Sequence, residues 1–458
     1  MNINEAAKVF FAREDIREQA IKDLSEIIAI PSVAGDRDGI YPYGRDCAKA
    51  LDKAAELAEK YGFTVENHDY HCLSILYGES ETEVGIVCHL DVVPAGDGWT
   101  VDPYALTIKD NLFMGRGSHD DKGPFIQGLY TLRFFKESGI KLPFTVRLYC
   151  GSDEEVGCTD LEHYLSVRKA PLFSFTPDSE FPVCIGEKSI LSVDTEFCCL
   201  PEAVKEIKGG TVSNAVPGKA YAIVETDKAL SNAEGITVSK TEGGTKIEAV
   251  GKSAHAAMPE SGINAIGVLF KYLLENSIVE GETFEFLKNA TDEYLGKTLG
   301  IDAENDAFGY LTCVGSVISS EGSKIKQTFN IRHLPETPDV EVCENIQKAV
   351  APFGGVATMT ATSCGYSVSA DDDKIKALTK ACEEVLGYEC KPYTTGGGTY
   401  ARWMPRTVAF GSAIPEERNY LGDERGNAHQ RDEYISEREF FDGMLIYSKA
   451  LGNISEIL

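Results

Sequence analysis

Four segments of the chain close apolar runs with acids or a histidine: CHLD (His89, Asp91), GRGSHDDKG (Asp120, Asp121), GSDEEVG (Asp153, Glu154, Glu155) and TPDSE (Asp178, Glu180). A fifth, ERGNAHQRDEY, presents His429 in a polar stretch near the C-terminus. Each alone is ordinary, since loops are commonly acidic and a lone histidine is more often satisfied or exposed than a ligand. Their sum poses a physical problem. Carboxylates that converge repel one another and raise each other's pKa unless a cation sits among them. Imidazole and carboxylate donors without thiolate suit Zn²⁺ or Mn²⁺, and a surplus of carboxylates points to two ions sharing a bridge.

The elements around these residues must bring them together. Gly85 to Cys88 is short, apolar and partly β-branched, and a turn rich in Pro and Gly follows, so it reads as a buried strand running into a loop. His89 and Asp91 stand at its exit. Alternate residues of an extended chain share a face, so both would project beyond the strand's carboxyl end, where open α/β sheets bind ligands. Helical spacing of apolar residues marks Arg17 to Ile30 and Arg45 to Lys60. FTVENHDY, LSILYG and VGIVCHL read as three successive strands, and YALTIKDNLFMGRG alternates about Asp110-Asn111 as a hairpin does. A helix from Pro124 to Glu137, the strand FTVRLYC, a helix near Asp160 to Val167 and the strand PLFSF follow. This alternation predicts a three-layer α/β domain. Between about Ser189 and Ala370 the pattern changes to β runs (KAYAIVET, GTKIEAVG, KIKQTFNIRHL) with a helix from Gly262 to Glu275, the mark of an α+β insert. DDDKIKALTKACEEVLG and RTVAFG then resume the first kind. The expected organisation is a catalytic domain in two parts, 1–188 and 371–458, interrupted by an inserted domain over 189–370. No fixed-period repeat or low-complexity tract occurs.

Composition narrows the function classes. Lysine and arginine number 44 against 72 aspartates and glutamates, a net charge of −28, which disfavours nucleic acid and anionic membrane as partners. Hydrophobic residues at 43% and charged residues at 25% fit a globular chain. No apolar run approaches the roughly 20 residues that span a bilayer. The first residues, MNINEAAKVFFAREDIREQ, lack a signal-peptide core, so the expected location is cytoplasmic. Thirteen cysteines without a C-x-x-C pair fit reduced, mostly buried thiols. Cys198 and Cys199 would face opposite sides of a strand.

HLDVVPAGDGW, GRGSHDDKGP, DEEVG, TPDSEFPVCIGEK, GKSAHAAMPESGINA and GNAHQRDEY occur here in the order of a known family. The chain resembles the dinuclear metallopeptidase family of carnosinases, aminoacylases and carboxypeptidase G, and most of all its bacterial PepV-type dipeptidases. The resemblance implies a three-layer α/β/α zinc-peptidase catalytic domain with an inserted α+β, ferredoxin-like lid. It implies two divalent ions, zinc first and manganese second, with His89 and Asp178 on one, Glu155 and His429 on the other, and Asp120 as the bridge. Water shared by the ions would ionise near neutral pH, with Glu154 as general base and Asp91 orienting the His89 ring. His255 of the lid would stabilise the oxyanion. Arg332 would pair with the substrate's C-terminal carboxylate, with Asn214, Gly397, Gly398 and Thr399 also on the substrate side. The peptide between Asp120 and Asp121 is expected to be cis. The double-sized lid of PepV-type enzymes implies a monomer.

The implied activity is metal-dependent hydrolysis of dipeptides or short unblocked peptides. The nearest rival is an N-acyl-amino-acid amidohydrolase of the same family; a remote one is a non-catalytic metal- or peptide-binding protein, whose signature would be a missing Glu154 or ligand. Other local resemblances carry less. Ser118-His119-Asp120 spells a catalytic triad, but consecutive residues cannot converge as triad members do. His119 departs from the family and is expected to pack locally or hydrogen-bond behind the ligands. TTGGGTYAR lacks the Lys-Ser/Thr of a phosphate loop. Cys88, Cys158 and Cys184 flank the site without being expected ligands. His68, His71 and His163 read as structural or exposed, and the spacing leaves His333 undecided.

Overall fold

The computed structural model describes residues 3–418, 420–422 and 425–458. It divides into two compact units, one of Met1–Ile185, Val368–Tyr393 and Thr399–Leu458, the other of Gly186–Ser367 and Thr394–Gly398. The sequence placed 394–398 in the resumed catalytic part; the structure groups this stretch with the insert, because Thr394, Thr395 and Gly396 bond to Ala307, Lys188 and Arg332 there.

In the first unit the sheet runs in the order Thr64–His68, Cys72–Tyr77, Thr145–Gly151, Glu83–His89, Phe173–Thr176, Thr407–Ala409 and Cys184–Glu187. Its centre is parallel: Glu83–His89 pairs in that sense with both Thr145–Gly151 and Phe173–Thr176, and Thr407–Ala409 continues the parallel set. Parallel strands are covered on both faces, which is why TVRLYCG is buried throughout. Alternation divides the faces. Val87 and Tyr149 join Leu161 and Tyr164 of the helix Thr159–Val167, whereas Ile86 and Leu148 meet Gly128 of the helix Lys122–Glu137. That is the α/β/α layering expected. The runs Cys72–Tyr77 and Glu83–His89 are consecutive but not neighbours, since Thr145–Gly151 lies between them, antiparallel to one and parallel to the other. A helix at Ile3–Phe11, which the periodicity did not reveal, packs on the C-terminal helix Glu437–Ser455.

Thr107–Lys109 and Leu112–Met114 form the expected hairpin. Asp110 (φ 51°) and Asn111 (φ 61°) are both left-handed, as a two-residue turn matched to strand twist requires. Tyr434–Ser436 joins as a third strand, Tyr434 opposite Met114, so the segment carrying His429 arrives beside the turn that leads to Asp120.

The second unit holds an eight-stranded antiparallel sheet in the order Ile236–Thr241, Gly244–Val250, Lys219–Val224, Val204–Gly209, Thr312–Glu321, Lys324–His333, Ser189–Cys198 and Val356–Ser363. Leu191, Val193, Ile207, Ile247 and Ile331 from the strands pack against Leu269, Phe270, Phe284, Leu287 and Ile346 from three helices, a single α+β core. Two of those helices, Glu282–Asp292 and Asp339–Val350, were not read from the sequence. Among the described residues no helix is long and apolar enough to cross a membrane.

Candidate metal centre

The parallel strands of the first unit set the centre. His89 ends Glu83–His89, Glu154 and Glu155 follow Thr145–Gly151, and Asp178 follows Phe173–Thr176, so all four leave the carboxyl ends of adjacent parallel strands. Asp120 comes from the turn before Lys122–Glu137, and the bond between Asp120 and Asp121 is cis. His429, in the left-handed conformation (φ 64°), comes from the loop before Tyr434–Ser436.

Asp120 lies between the two histidines. Its Oδ1 is 2.9 Å from His89 Nε2 and its Oδ2 is 3.0 Å from His429 Nε2. Glu155 Oε2 is also 3.0 Å from His429 Nε2, and Asp178 Oδ2 is 3.9 Å from His89 Nε2. Two sets of donor atoms, from His89, Glu154 and Asp178 and from His89, Asp120 and Glu155, lie close enough together to hold an ion.

The electrostatics ask for positive charge. Burial, reinforced by Asp120 and Glu154, pushes the Asp178 carboxyl well above the usual carboxylate range. Burial and the neighbouring Glu155 and Asp120 do the same to Glu154. Asp120 goes the other way: although burial raises it, His429 and His89 hold it well below. Against the effect of burial, Asp120 and Glu155 raise His429 to about 11, so protons gather where a cation would otherwise sit. His89 is raised too: although burial lowers it, Asp120 and Asp91 lift it well above the ordinary imidazole range. Its Nδ1 is 3.0 Å from the Asp91 backbone oxygen, which requires the ring proton there. Its Nε2 and Asp120 Oδ1 face each other, buried and without a hydrogen bond. A buried imidazole nitrogen and a carboxylate oxygen facing each other across 2.9 Å suit shared coordination of an ion, and the imidazole and carboxylate donors fit a hard or borderline divalent one.

The loop bearing Glu154 and Glu155 hangs on two other carboxylates. Asp91 Oδ1 accepts from Glu154 N (3.3 Å) and Oδ2 from Glu155 N (3.1 Å), while Oδ1 also lies 3.4 Å from His89 Nδ1. The sequence reading gave Asp91 only the ring; the geometry adds the loop. Asp160, fully buried, accepts from Ser152 N (2.7 Å), Asp153 N (3.2 Å) and the Tyr400 hydroxyl through Oδ2, and from Leu161 N (2.7 Å) through Oδ1. Sequence reasoning passed over Asp160 and Tyr400. Asp160 stands in the first turn of a helix, where acids are common, and its partners besides Tyr400 are backbone groups that no motif encodes.

The second unit gathers the candidate substrate residues. Ala215–Val216 pairs with Ala254–His255, placing Asn214 beside His255, and Asn214 O accepts from Ala256 N at 2.9 Å. His255 Nδ1 accepts from Ala257 N (3.2 Å), which leaves the ring proton on Nε2. Thr312, opposite Arg332 in the sheet, bonds through Oγ1 to Ala256 O. Arg332 is buried, its Nε on Asn330 Oδ1 (3.0 Å) and its Nη1 on Gly396 O (3.2 Å), next in sequence to Gly397 and Gly398. Thr399 belongs to the first unit, where its Oγ1 caps a short helix by accepting from Ala401 N.

The remaining histidines and thiols stay out of the centre. His119 packs with both ring nitrogens buried and unbonded, and burial lowers it to about 3. His68 bonds Ser74, His71 stacks on His163, and His333 bonds Asp339. Among the described residues no cysteine joins either donor set.

The model of Peptidase family M20/M25/M40 matches residues 85–453. "Putative dipeptidase YtjP" of Bacillus subtilis (strain 168) is 32% identical over 464 residues, covering 96% of this chain and 98% of that one. Among solved structures, the di-peptidase Dug1p from Saccharomyces cerevisiae superposes with a TM-score of 0.61 at 15% identity, covering 99% of this chain and 98% of that one. The Bacillus subtilis YXEP protein, described as a dinuclear metal binding peptidase, does so with a TM-score of 0.51 at 10% identity, covering 97% and 100%. At these identities the two structures speak to fold alone.

Proposed function

The chain belongs to peptidase family M20/M25/M40, and we propose that it is a two-metal dipeptidase that cleaves short peptides with free termini, with zinc, or in its place manganese, as the ion. The observation that carries this reading is the division of one carboxylate between two imidazoles: Asp120 Oδ1 faces His89, Oδ2 faces His429, and Asp178 and Glu155 complete the pairs. The name carried by the Bacillus subtilis relative, which matches nearly end to end, supports the same substrate class.

Bound at these residues, two divalent ions would supply Lewis acidity and bring the ionisation of water near pH 7. The chain supplies the rest. Glu154, its backbone anchored on Asp91, takes the proton from the attacking water and passes it to the leaving amine. A carboxyl whose affinity for protons is raised by burial and by neighbouring acids suits that transfer. His255, with its proton on Nε2, donates to the oxyanion. Arg332, oriented by Asn330 and Gly396, offers a guanidinium to the substrate's terminal carboxylate, with Asn214, Gly397, Gly398 and Thr399 beside the peptide.

The test is a dipeptide panel with N-acetyl analogues, assayed on apo-protein reconstituted with zinc or manganese separately. Turnover of unblocked dipeptides, lost by about 10²-fold or more in Glu154→Gln while ions still bind, is the expected result. Cleavage confined to N-acetylated substrates would instead make the chain an amidohydrolase. Dipeptide binding without turnover, indifferent to Glu154→Gln, would make it a binding protein.

A further inference from the structure

Two buried side chains that the reaction does not use join the Asp120 turn to the His429 loop. The pairing of Tyr434–Ser436 with Leu112–Met114 brings Glu433 alongside Gly115, whose N–H donates to Glu433 O at 2.9 Å. From there the Glu433 carboxylate, wholly buried, enters the turn between Gly117 and Asp120. Its Oε1 accepts from the backbone N–H groups of Gly117 (3.0 Å), His119 (3.0 Å) and Asp120 (3.1 Å). Gly117 is left-handed (φ 87°), and a Cβ there would press on Lys122 and Val92, so glycine lets these donors converge on one oxygen. Oε2 takes Nη1 of Arg116, which is 1% exposed. The other arm of the Arg116 fork, Nη2, reaches the backbone oxygen of His429 at 3.3 Å and those of Pro94 and Ala95 at 3.4 Å each.

We propose that the Arg116–Glu433 pair is a positioning device that sets the placement of Asp120 relative to His429, and so the geometry of the second ion's site. The inference rests on the ligand assignment given above. The two ligands lie 309 positions apart in the chain (429 − 120 = 309), and this ion pair bonds to the backbone of both. Glu433 grips the Asp120 turn through three N–H groups, and Arg116 grips the His429 carbonyl. Glu433→Gln keeps the shape and removes the charge that binds the fork. Arg116→Lys keeps the charge and removes the planar fork, whose second arm is what reaches His429.

Apo-protein of each variant is titrated with zinc against a chromophoric chelator, and its melting is followed without metal. Glu433→Gln is expected to weaken both binding steps by about 10–100-fold, because Asp120 serves both ions. Arg116→Lys is expected to weaken one step and spare the other, because only His429 loses its tether. In the loaded enzymes kcat should fall while KM stays near its original value. Should Glu433→Gln fail to fold without metal, Arg116→Lys carries the test. Folded variants that bind both ions as tightly as the parent, whatever their melting temperatures, would overturn the proposal, as would Arg116→Lys weakening both steps alike. Affinity is read on the ions alone, so a chain that holds two ions and cleaves no dipeptide would refute the dipeptidase reading and leave this one standing. A parent chain that bound no ion would refute the ligand assignment beneath both.

Discussion

Asp91→Asn separates two jobs that one carboxylate performs. If the side chain served chiefly to orient His89, its loss would be felt first in metal affinity. The structure gives the tautomer a second guarantor: His89 Nδ1 is 3.0 Å from the Asp91 backbone oxygen, nearer than the 3.4 Å to Oδ1, and the substitution leaves that carbonyl in place. The loop has no such reserve. Glu154 N and Glu155 N each donate to one oxygen of Asp91, and an asparagine can accept from only one of them while turning its NH₂ toward the other. A hydrogen bond to a charged group contributes about 1.5–3 kcal/mol, and an unsatisfied buried donor costs about 1–3 kcal/mol. Roughly 3 kcal/mol of lost loop positioning corresponds to about 10²-fold in rate. The expected result is therefore a kcat lower by about 10²-fold with zinc affinity at the His89 and Asp178 ion within about 10-fold of the parent. Steady-state kinetics at saturating metal and chelator-competition titrations measure the two. A variant that folds but loses zinc affinity by far more than it loses kcat would refute the reasoning.

Other substitutions and conditions probe different parts of the chain. Gly151→Ala should destabilise by about 1–3 kcal/mol or more, read by chemical denaturation, because a Cβ there would overlap the Tyr400 hydroxyl and Asp160 Oδ2, both buried and bonded to each other. Removing the ions with a chelator should abolish activity and lower the melting temperature, and restoring zinc at 100 times its Kd should return about 2.7 kcal/mol. A melting temperature indifferent to chelation would contradict the electrostatic account of the centre. His71 is lowered to about 4, first by burial and then by its stacked neighbour His163. The folded state thus favours the neutral ring, and its contribution to stability is present above the unfolded value near 6.5 and is lost as pH falls from there toward 4. Proton NMR titration of the ring should place its midpoint well below 6.5, and a midpoint at or above that value would refute this.

Much of the fold could be read in advance because it rests on local periodicity. Arg45–Lys60 begins and ends where the apolar spacing put it, and Asp110-Asn111 turns where alternation broke. The helix Ile3–Phe11 escaped because it is short and buries its apolar side on Glu437–Ser455, from the far end of the chain. Strand order escaped too, since periodicity says that a strand is buried but not which strand lies beside it. Thr145–Gly151 parts two consecutive strands through pairings that involve residues 60 and more positions apart.

The candidate donors were legible because metal chemistry restricts ligands to a few side chains, and such side chains stand here in short motifs at strand ends. What holds them was not legible. Asp91, Asp160 and Glu433 grip the ligand loops through backbone N–H groups, and every residue but proline offers the same N–H, so the sequence carries no mark of which one is held. By itself, then, the sequence named the candidate donors and the rhythm of helix and strand. Only the tertiary structure decided which strands adjoin, which oxygen of Asp120 faces which histidine, and which buried carboxylates hold the loops in register, because those are matters of distance between residues that the chain itself keeps far apart.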